Sequence, residues 1–449
     1  MAWAGPALLV FVGTLLAWAG TTDGVDSIVY YVFAIVDQIG ADPISLIKPV
    51  YNPPPMYTHA YRPLSTALVK FGGWAFGRDV EGLKWLTFAH GLFLIPYGLA
   101  ARRFLRVHGF GGRIALMGAL GAMLTPTILF SAWTIPEFDM VGGAIILFAA
   151  SELRLGHLRR AIPFLALAIL TKETTAILML AYLLAFLFFH RTERRWWLLT
   201  GGYFTALLAA VFPILMVKPP VTNEFNVTDD EFEWMRVAWL AFHNASQLFY
   251  VLGPAGAALL GWLAARRLQL RYAGVLLCVA ILSQFTVTPL LRHYNHYESI
   301  IFSDWVWVLL WVLVSVGALV VLMVKGRGNE RVLALAISLG WAGLLTGPVL
   351  ASFSRADLSA RLYAPLIPML HGLAWLGVRE AWGERKPVQW AAVLAGISLF
   401  WLPVAGAVSA WQFTQARFPV EQSAKGDVLA ALDQPCPWVF YTNRDQELA

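Results

Sequence analysis

The sequence predicts an all-α polytopic membrane protein with about 13 transmembrane helices. Of its 449 residues, 59% are hydrophobic and only 13% are charged, a composition that a water-soluble domain of this size does not carry. Apolar runs of about 20 residues, the length of a membrane-spanning helix, recur from Ala4 to Ala410. Short basic segments separate many of these runs, which is the pattern of a chain that crosses a bilayer repeatedly.

Positive charge is concentrated in six of these segments, and we interpret them as cytoplasmic loops. Together they hold more than half of the 33 Lys and Arg residues and few of the 27 Asp and Glu residues. The segments are residues 102–113, 153–160, 191–195, 266–271, 325–331 and 379–386. We therefore expect a transmembrane domain over residues 1–410 and a short outer tail over residues 411–449. The net charge of +6 follows from this topology, and we predict no nucleic-acid partner.

Residues 161–190 do not fit a regular pair of spans. They join two basic segments that should both be cytoplasmic, yet they are too few for two spans of about 20 residues each. Either the charge pattern fails here, or two short helices form a hairpin with Lys172 and Glu173 at its turn, part-way into the membrane. We favour the hairpin, because a broken element is tolerated where it lines a polar cavity and charged side chains at that depth are usually functional.

The first outer loop, residues 21–62, begins with two carboxylates, Asp23 and Asp26, directly after the first helix. Residues 28–36 are apolar but too short to span, which favours helices that lie in the membrane interface. A run rich in proline and tyrosine follows, and prolines stiffen a chain while tyrosines prefer the interface. This run contributes Tyr57, His59 and Tyr61 to a predicted cavity roof.

Five motifs occur in an order that resembles the GT-C superfamily of integral-membrane glycosyltransferases. The branch that is most similar contains protein O-mannosyltransferases and bacterial lipid-linked-sugar transferases. The motifs are Asp23 after the first helix, Tyr61-Arg62-Pro63-Leu64, Trp133-Thr134-Ile135-Pro136-Glu137-Phe138-Asp139, Thr171-Lys172-Glu173-Thr174 and Arg361-Leu362-Tyr363-Ala364-Pro365. The resemblance covers residues 1 to about 410 and implies a polyprenyl-phosphate sugar donor, an outer active site and an Asp of the first outer loop acting at the acceptor. The chain departs from the family pattern in the spacing of Asp23 and Asp26 and in the acidic residue at position 137.

The residue types fit this chemistry independently of the resemblance. Sugar transfer to a hydroxyl needs a carboxylate that removes a proton, and Asp23 or Asp26 can do so. It also needs positive charge at the departing phosphate, for which Arg62, Lys172 and Arg361 are the predicted ligands. A divalent cation held by carboxylates is the alternative. The predicted ligands of this cation are Asp23, Asp26, Glu137 and Asp139.

The same outer segments are predicted to form the substrate cavity. Its predicted lining residues are Tyr57, His59, Tyr61, Glu137, Asp139, Glu173 and Tyr363.

The sequence therefore predicts a glycosyltransferase that acts on a lipid, glycan or protein acceptor at the outer face of a bacterial inner membrane, in contact with membrane lipids. No resident cofactor is predicted beyond the alternative divalent cation. Two other readings stay open. One is a membrane transporter, although the chain shows no pair of repeated halves with matching broken helices. The other is a catalytically silent scaffold in which Asp23 and Asp26 are solvated at a helix end and Arg62 and Arg361 extend to the interface.

Overall fold

The computed structural model describes residues 3–20, 63–76, 80–133, 138–172, 174–216, 252–270, 305–350 and 363–400. Within these ranges the secondary structure is helical and contains no strand. This confirms the predicted all-α class, whereas the number of membrane crossings remains a prediction. The first outer loop, residues 21–62, and the outer tail, residues 411–449, lie outside the described residues.

The helices are numbered in chain order as follows. They are α1 (Ala4–Ala19), α2 (Pro63–Phe76), α3 (Val80–Gly91), α4 (Leu94–Val107), α5 (Gly112–Leu124), α6 (Pro126–Trp133), α7 (Asp139–Arg154), α8 (Leu158–Thr171), α9 (Thr174–His190), α10 (Arg194–Met216), α11 (Gly253–Arg267), α12 (Trp305–Lys325), α13 (Asn329–Leu350) and α14 (Ile367–Ala381). Residues 386–400 are also helical.

Proline explains the interruption between α5 and α6. Thr125 precedes Pro126 and has an extended backbone with ψ of 129°, because a proline disfavours the helical conformation of the residue before it. The axis bends there by 64°. Among the described helices, none meets the length and hydropathy of a full span alone, whereas α5 and α6 meet both when taken together across this bend.

Large apolar side chains cover the outside of the helices. Phe11, Leu15, Phe188, Leu208 and Leu313 are each more than half exposed. An apolar exterior of this extent in a soluble protein would be an aggregation hazard, but it is the expected surface of helices that contact lipid. Together with the composition, this exterior identifies the chain as an all-α membrane protein.

Small residues allow the helices to approach closely in the interior. Gly118 of α5 lies against Gly372 of α14, and a Cβ atom added to Gly118 would come within 3.5 Å of the backbone nitrogen of Gly372. Alanine and glycine at helix contacts are typical of membrane bundles, where close packing replaces the hydrophobic effect as the source of association.

The basic segments gather at one end of the bundle, which we call the basic end. Arg267 of α11 binds Glu330 of α13 through two hydrogen bonds of 2.8 Å and 2.6 Å. The amide of Asn329 donates to the carbonyl oxygen of His108 over 2.8 Å, and Arg103 of α4 pairs with Glu152 of α7. The structure thus places segments that are distant in the chain on one side, as the charge pattern predicts. The assignment of that side to the cytoplasm stays a prediction.

The hairpin predicted for residues 161–190 is confirmed as two separate helices. Helix α8 has 14 residues and α9 has 17 residues, so each is about 21–26 Å long and shorter than the hydrocarbon layer of about 30 Å. Lys172 interrupts them with an extended backbone, φ −154° and ψ 121°. Both helices reach the basic end at their other termini, where His157 binds Glu152 and Arg331 stacks over the ring of Phe189.

Candidate active site

A buried ion pair joins the start of α7 to the turn of the hairpin. The Nζ atom of Lys172 lies 3.2 Å from Oδ1 and 3.4 Å from Oδ2 of Asp139. Lys172 is 6% exposed and Asp139 is 3% exposed. Because α7 runs from Asp139 to Arg154 at the basic end, the pair lies at the opposite end of the bundle, which we call the site end.

Local helix chemistry favours each charge where it lies. Asp139 is the first residue of α7, where a negative charge interacts favourably with the positive end of the helix dipole. Lys172 follows the last residue of α8, where a positive charge is favoured. The hydroxyl of Thr175 donates to the carbonyl oxygen of Lys172 over 2.6 Å, and the backbone N–H of Thr175 donates to the same oxygen over 3.1 Å, so the start of α9 is tied to the turn.

Two consecutive glycines bring α7 against both neighbouring motifs. A Cβ atom on Gly142 would lie 2.9 Å from Cγ2 of Thr175 and 3.5 Å from Cβ of Lys172. A Cβ atom on Gly143 would lie 3.1 Å from Cβ of Ala364. The absence of side chains at these two positions therefore sets the distance at which the Lys172 turn and the Tyr363-Ala364 segment meet the start of α7.

The Tyr363 segment is fixed by a hydrogen bond from α4. The hydroxyl of Tyr97 donates to the carbonyl oxygen of Ala364 over 2.7 Å. Tyr363 itself is fully buried, yet its hydroxyl has no hydrogen-bond partner among the described residues. A buried polar group without a partner is uncommon in native proteins, which makes this hydroxyl a candidate for contact with a ligand.

The second motif reaches the same place through α2. The hydroxyl of Ser65 donates to the carbonyl oxygen of Thr171 over 2.7 Å, so the first turn of α2 lies beside the residue that precedes Lys172. The Tyr61-Arg62-Pro63-Leu64 motif ends one residue before Ser65. Its proline begins α2, a position that tolerates the missing backbone N–H.

The end of α1 contacts the same end of the bundle. The indole Nε1 of Trp133 donates to the carbonyl oxygen of Leu16 over 3.0 Å, and a Cβ atom on Gly20 would overlap the Trp133 ring. Asp23 follows Gly20 by three residues in the chain. The third motif thus begins against the helix that carries the first outer loop.

His90 adds a buried polar side chain near the start of α7. Its Nδ1 lies 3.0 Å from the carbonyl oxygen of Ala132, and its ring contacts Phe138 edge to face with centroids 4.9 Å apart. Its Nε2 is buried without a hydrogen-bond partner in the part of the chain described here. Sequence reasoning missed His90, although a histidine that ends an apolar segment is a visible signal.

Three of the predicted site residues lie within the described ranges, and the structure brings their segments together at the site end. These are Asp139, Lys172 and Tyr363. The remaining predicted residues lie outside the described residues and are Asp23, Asp26, Tyr57, His59, Tyr61, Arg62, Glu137, Glu173 and Arg361. Sequence reasoning assigned Asp139 to the cavity or to a cation and did not identify it as the partner of Lys172.

A metal site cannot be assembled from the described residues alone, because they contain no group of three or more His, Cys, Asp or Glu side chains with suitable geometry. Asp139 is engaged by Lys172 at 3.2 Å. The other predicted ligands of the alternative cation site, Asp23, Asp26 and Glu137, lie outside the described residues.

No protein-family model and no curated protein matches the chain. Among solved structures, it is similar to ArnT from Cupriavidus metallidurans in the apo state, with 17% sequence identity and a TM-score of 0.40. The likeness covers 92% of this chain and 78% of the ArnT chain. At this level of similarity, support for a function comes from the side chains that converge around Asp139 and Lys172.

Proposed function

We propose that the chain is a membrane glycosyltransferase with a GT-C-like architecture, which moves a sugar from a polyprenyl-phosphate donor to a hydroxyl acceptor at the site end. The observation that supports this most directly is the convergence of four of the five motifs on one buried ion pair, Asp139–Lys172. Charged groups inside a membrane bundle are costly and mark functional positions. Here Ala364, the residue after Tyr363, packs against α7 at Gly143, and the first turn of α2 contacts the residue that precedes Lys172.

The proposed reaction forms a bond between the acceptor oxygen and the anomeric carbon and breaks the bond from that carbon to the phosphate oxygen. The acceptor proton passes to the carboxylate of Asp23 or Asp26. The electron pair of the broken bond stays on the phosphate, which leaves as polyprenyl phosphate. Because negative charge grows there in the transition state, positive groups that are already in position lower the barrier.

Lys172 is the described residue best placed to supply that charge. Its ammonium group is held by Asp139 at 3.2 Å, so its position is set before a donor binds, and preorganisation of this kind is a main source of catalytic power. Asp139 then acts as a positioning residue. Arg62 and Arg361 belong to the motifs that contain Pro63 and Tyr363, and we propose them as further phosphate ligands.

A divalent cation held by carboxylates among Asp23, Asp26, Glu137 and Asp139 is the alternative source of positive charge. The acceptor is a lipid, a glycan or a protein, and the reaction is proposed at the outer face of a bacterial inner membrane. This placement follows from the basic loops, which lie at the other end of the bundle and are expected in the cytoplasm.

The test is mass spectrometry of glycolipids and glycoproteins from a deletion strain. We expect loss of one glycan and accumulation of its lipid-linked donor. Wild-type protein should restore the glycan, whereas one of Asp23→Asn and Asp26→Asn should not, because the amide keeps the size of the side chain but cannot accept the proton. Asp230→Asn, a substitution between the basic segments 191–195 and 266–271, is the matched control and should restore the glycan.

Two outcomes would contradict the proposal. One is full restoration by the double variant with both Asp23→Asn and Asp26→Asn. The other is an unchanged profile of glycans and lipid-linked sugars in the deletion strain, which would favour the transporter or scaffold reading. Treatment of purified protein with a chelator separates the two sources of positive charge, since only the cation-dependent reaction would stop.

A further inference from the structure

A groove runs along α4, between this helix and helices α7 and α8. It has a volume of about 740 Å³. Its lining includes Leu99, Arg102, Arg106, Ile145, Phe148 and Phe164. The lining side chains that come from α7 and α8 are apolar, and Arg102 and Arg106 lie toward the basic end of α4. The groove therefore has a charged end and an apolar floor.

The charged end contains guanidinium groups without acidic partners. Arg102 and Arg106 are one helical turn apart, a spacing at which like charges repel. In the described part of the chain neither pairs with a carboxylate, whereas the adjacent Arg103 pairs with Glu152 and stacks over Phe148. The Nε atom of Arg102 is buried and has no acceptor. An anionic group at this end would relieve the repulsion and accept these hydrogen bonds.

The length of the groove matches one leaflet of a bilayer. Its lining extends along α4 from Pro96 to Val107, which is about 17 Å at 1.5 Å per residue. Half of the hydrocarbon thickness is about 15 Å. A single acyl chain that descends from the interface therefore fills a groove of this length, while a free phosphate would occupy only its charged end.

We propose that this groove binds an anionic phospholipid of the leaflet at the basic end. Its phosphate lies between Arg102 and Arg106, and one acyl chain lies along Leu99, Ile145 and Phe148. Basic pockets between transmembrane helices on the cytoplasmic side suit anionic head groups. The lipid bridges α4 and α7, the helices that carry Tyr97 and Asp139 at their other ends. The site is separate from the proposed catalytic site and does not depend on the proposed function.

The test measures the thermal unfolding midpoint of the full chain in neutral detergent as phosphatidylglycerol is added. We expect a saturable rise in the midpoint with phosphatidylglycerol and none with phosphatidylcholine of the same acyl chains. Replacement of both Arg102→Gln and Arg106→Gln should weaken the apparent affinity by about 30-fold, since each basic residue near an anionic lipid surface contributes about 1 kcal/mol. The variant with Arg102→Lys and Arg106→Lys should retain most of the effect.

Arg113→Gln combined with Arg385→Gln is the matched control. Both arginines are exposed and neither lines the groove, so this variant should bind phosphatidylglycerol like the wild type. The midpoints without lipid show whether each variant is folded. An undiminished response of the Arg102/Arg106 glutamine variant would overturn the proposal. An equal response to inorganic phosphate, or to phosphatidylglycerol with six-carbon chains, would show that no acyl chain occupies the groove and would also overturn it.

Discussion

The ammonium group of Lys172 lies 3.2 Å from a carboxylate oxygen of Asp139, a residue 33 positions earlier in the chain. Both side chains are at least nine-tenths buried. Two charges removed from water in this way cost several kcal/mol each and are compensated only by good mutual geometry. The pair therefore serves either the stability of the hairpin turn or the chemistry of the site, and substitutions separate these roles.

Single substitutions of the pair should be strongly destabilising. Lys172→Met or Asp139→Leu alone leaves a buried charge without its partner, and we expect a loss of about 3–5 kcal/mol in the free energy of unfolding. The double variant should recover most of that loss, because a buried ion pair and an apolar pair of similar volume are often close in stability. Thermal unfolding in detergent measures this.

Glycosyl transfer by the same double variant distinguishes the two roles. If Lys172 supplies charge to the departing phosphate, the stable double variant should remain inactive. Wild-type activity in that variant would show that the pair is purely structural.

The glycines of α7 should tolerate no side chain at the contact with the Lys172 turn. Gly142→Ala places a methyl group 2.9 Å from Thr175 Cγ2, and we expect a cost of about 1–3 kcal/mol from overpacking. Gly201→Ala in α10 is the matched control, because a Cβ atom there meets nothing within 4 Å. It should be neutral or stabilising by up to about 1 kcal/mol. Equal stability of the two variants would mean that α7 is not closely packed at Gly142.

The two tyrosines near Ala364 should respond differently to removal of the hydroxyl. Tyr97→Phe removes a hydrogen bond of 2.7 Å to the Ala364 carbonyl and should cost about 0.5–1.5 kcal/mol. Tyr363→Phe removes a hydroxyl that has no partner in the described structure, so stability should be unchanged or higher. If that hydroxyl receives a substrate group, Tyr363→Phe should nevertheless raise the KM for the donor. An unchanged KM would remove Tyr363 from the substrate cavity.

Acid should destabilise the basic end through His108. Its Nδ1 donates to the Phe104 carbonyl at 2.7 Å, and its Nε2 lies 2.9 Å from the Tyr182 hydroxyl. The pKa of His108 is lowered from 6.5 to about 3, mainly by burial and in smaller part by the charge of Arg154, against the hydrogen bond to Phe104, which raises it. The folded state thus keeps this histidine neutral, whereas the unfolded state takes up a proton below pH 6.5.

The resulting loss of stability should begin near pH 6.5 and continue toward pH 3, with a limiting slope of about 1.4 kcal/mol per pH unit. The midpoint of thermal unfolding between pH 7.5 and 5 measures this. His108→Gln should be less stable at pH 7.5 but flatter in its pH dependence. An equally steep profile for this variant would assign the acid sensitivity to other groups.

The sidedness of the bundle can be tested with introduced cysteines. In a background with Cys278→Ser and Cys436→Ser, Thr22→Cys and Thr134→Cys should react with an impermeant thiol reagent applied to intact cells. Gly111→Cys should react only after the membrane is opened, because Gly111 belongs to the basic segment 102–113, which is expected inside. Outside labelling of Gly111→Cys would invert the topology.

Much of the architecture was predictable because its signals are local. Apolar composition indicated a helical membrane protein, and the alternation of charge indicated that the basic segments lie on one side. The ion pair between Arg267 and Glu330, which joins two of these segments, agrees with that grouping. Chain length alone indicated the break at Lys172, since the segment is too short for two spans. Tyr363 and Asp139 were selected from motif order, and their segments do converge.

The partners of these residues were not predictable, because they depend on distances between segments far apart in the chain. Which charges enter the apolar bundle could be predicted from the order of residues alone, through the cost of burying them and the spacing of basic loops. The packing of the helices shows that Lys172 binds Asp139 and that Gly142 and Gly143 set the approach of the neighbouring segments. It also shows that the Tyr363 hydroxyl is buried without a partner among the described residues. Pairing of buried groups is a property of packing, and a linear pattern carries no record of which helices lie side by side.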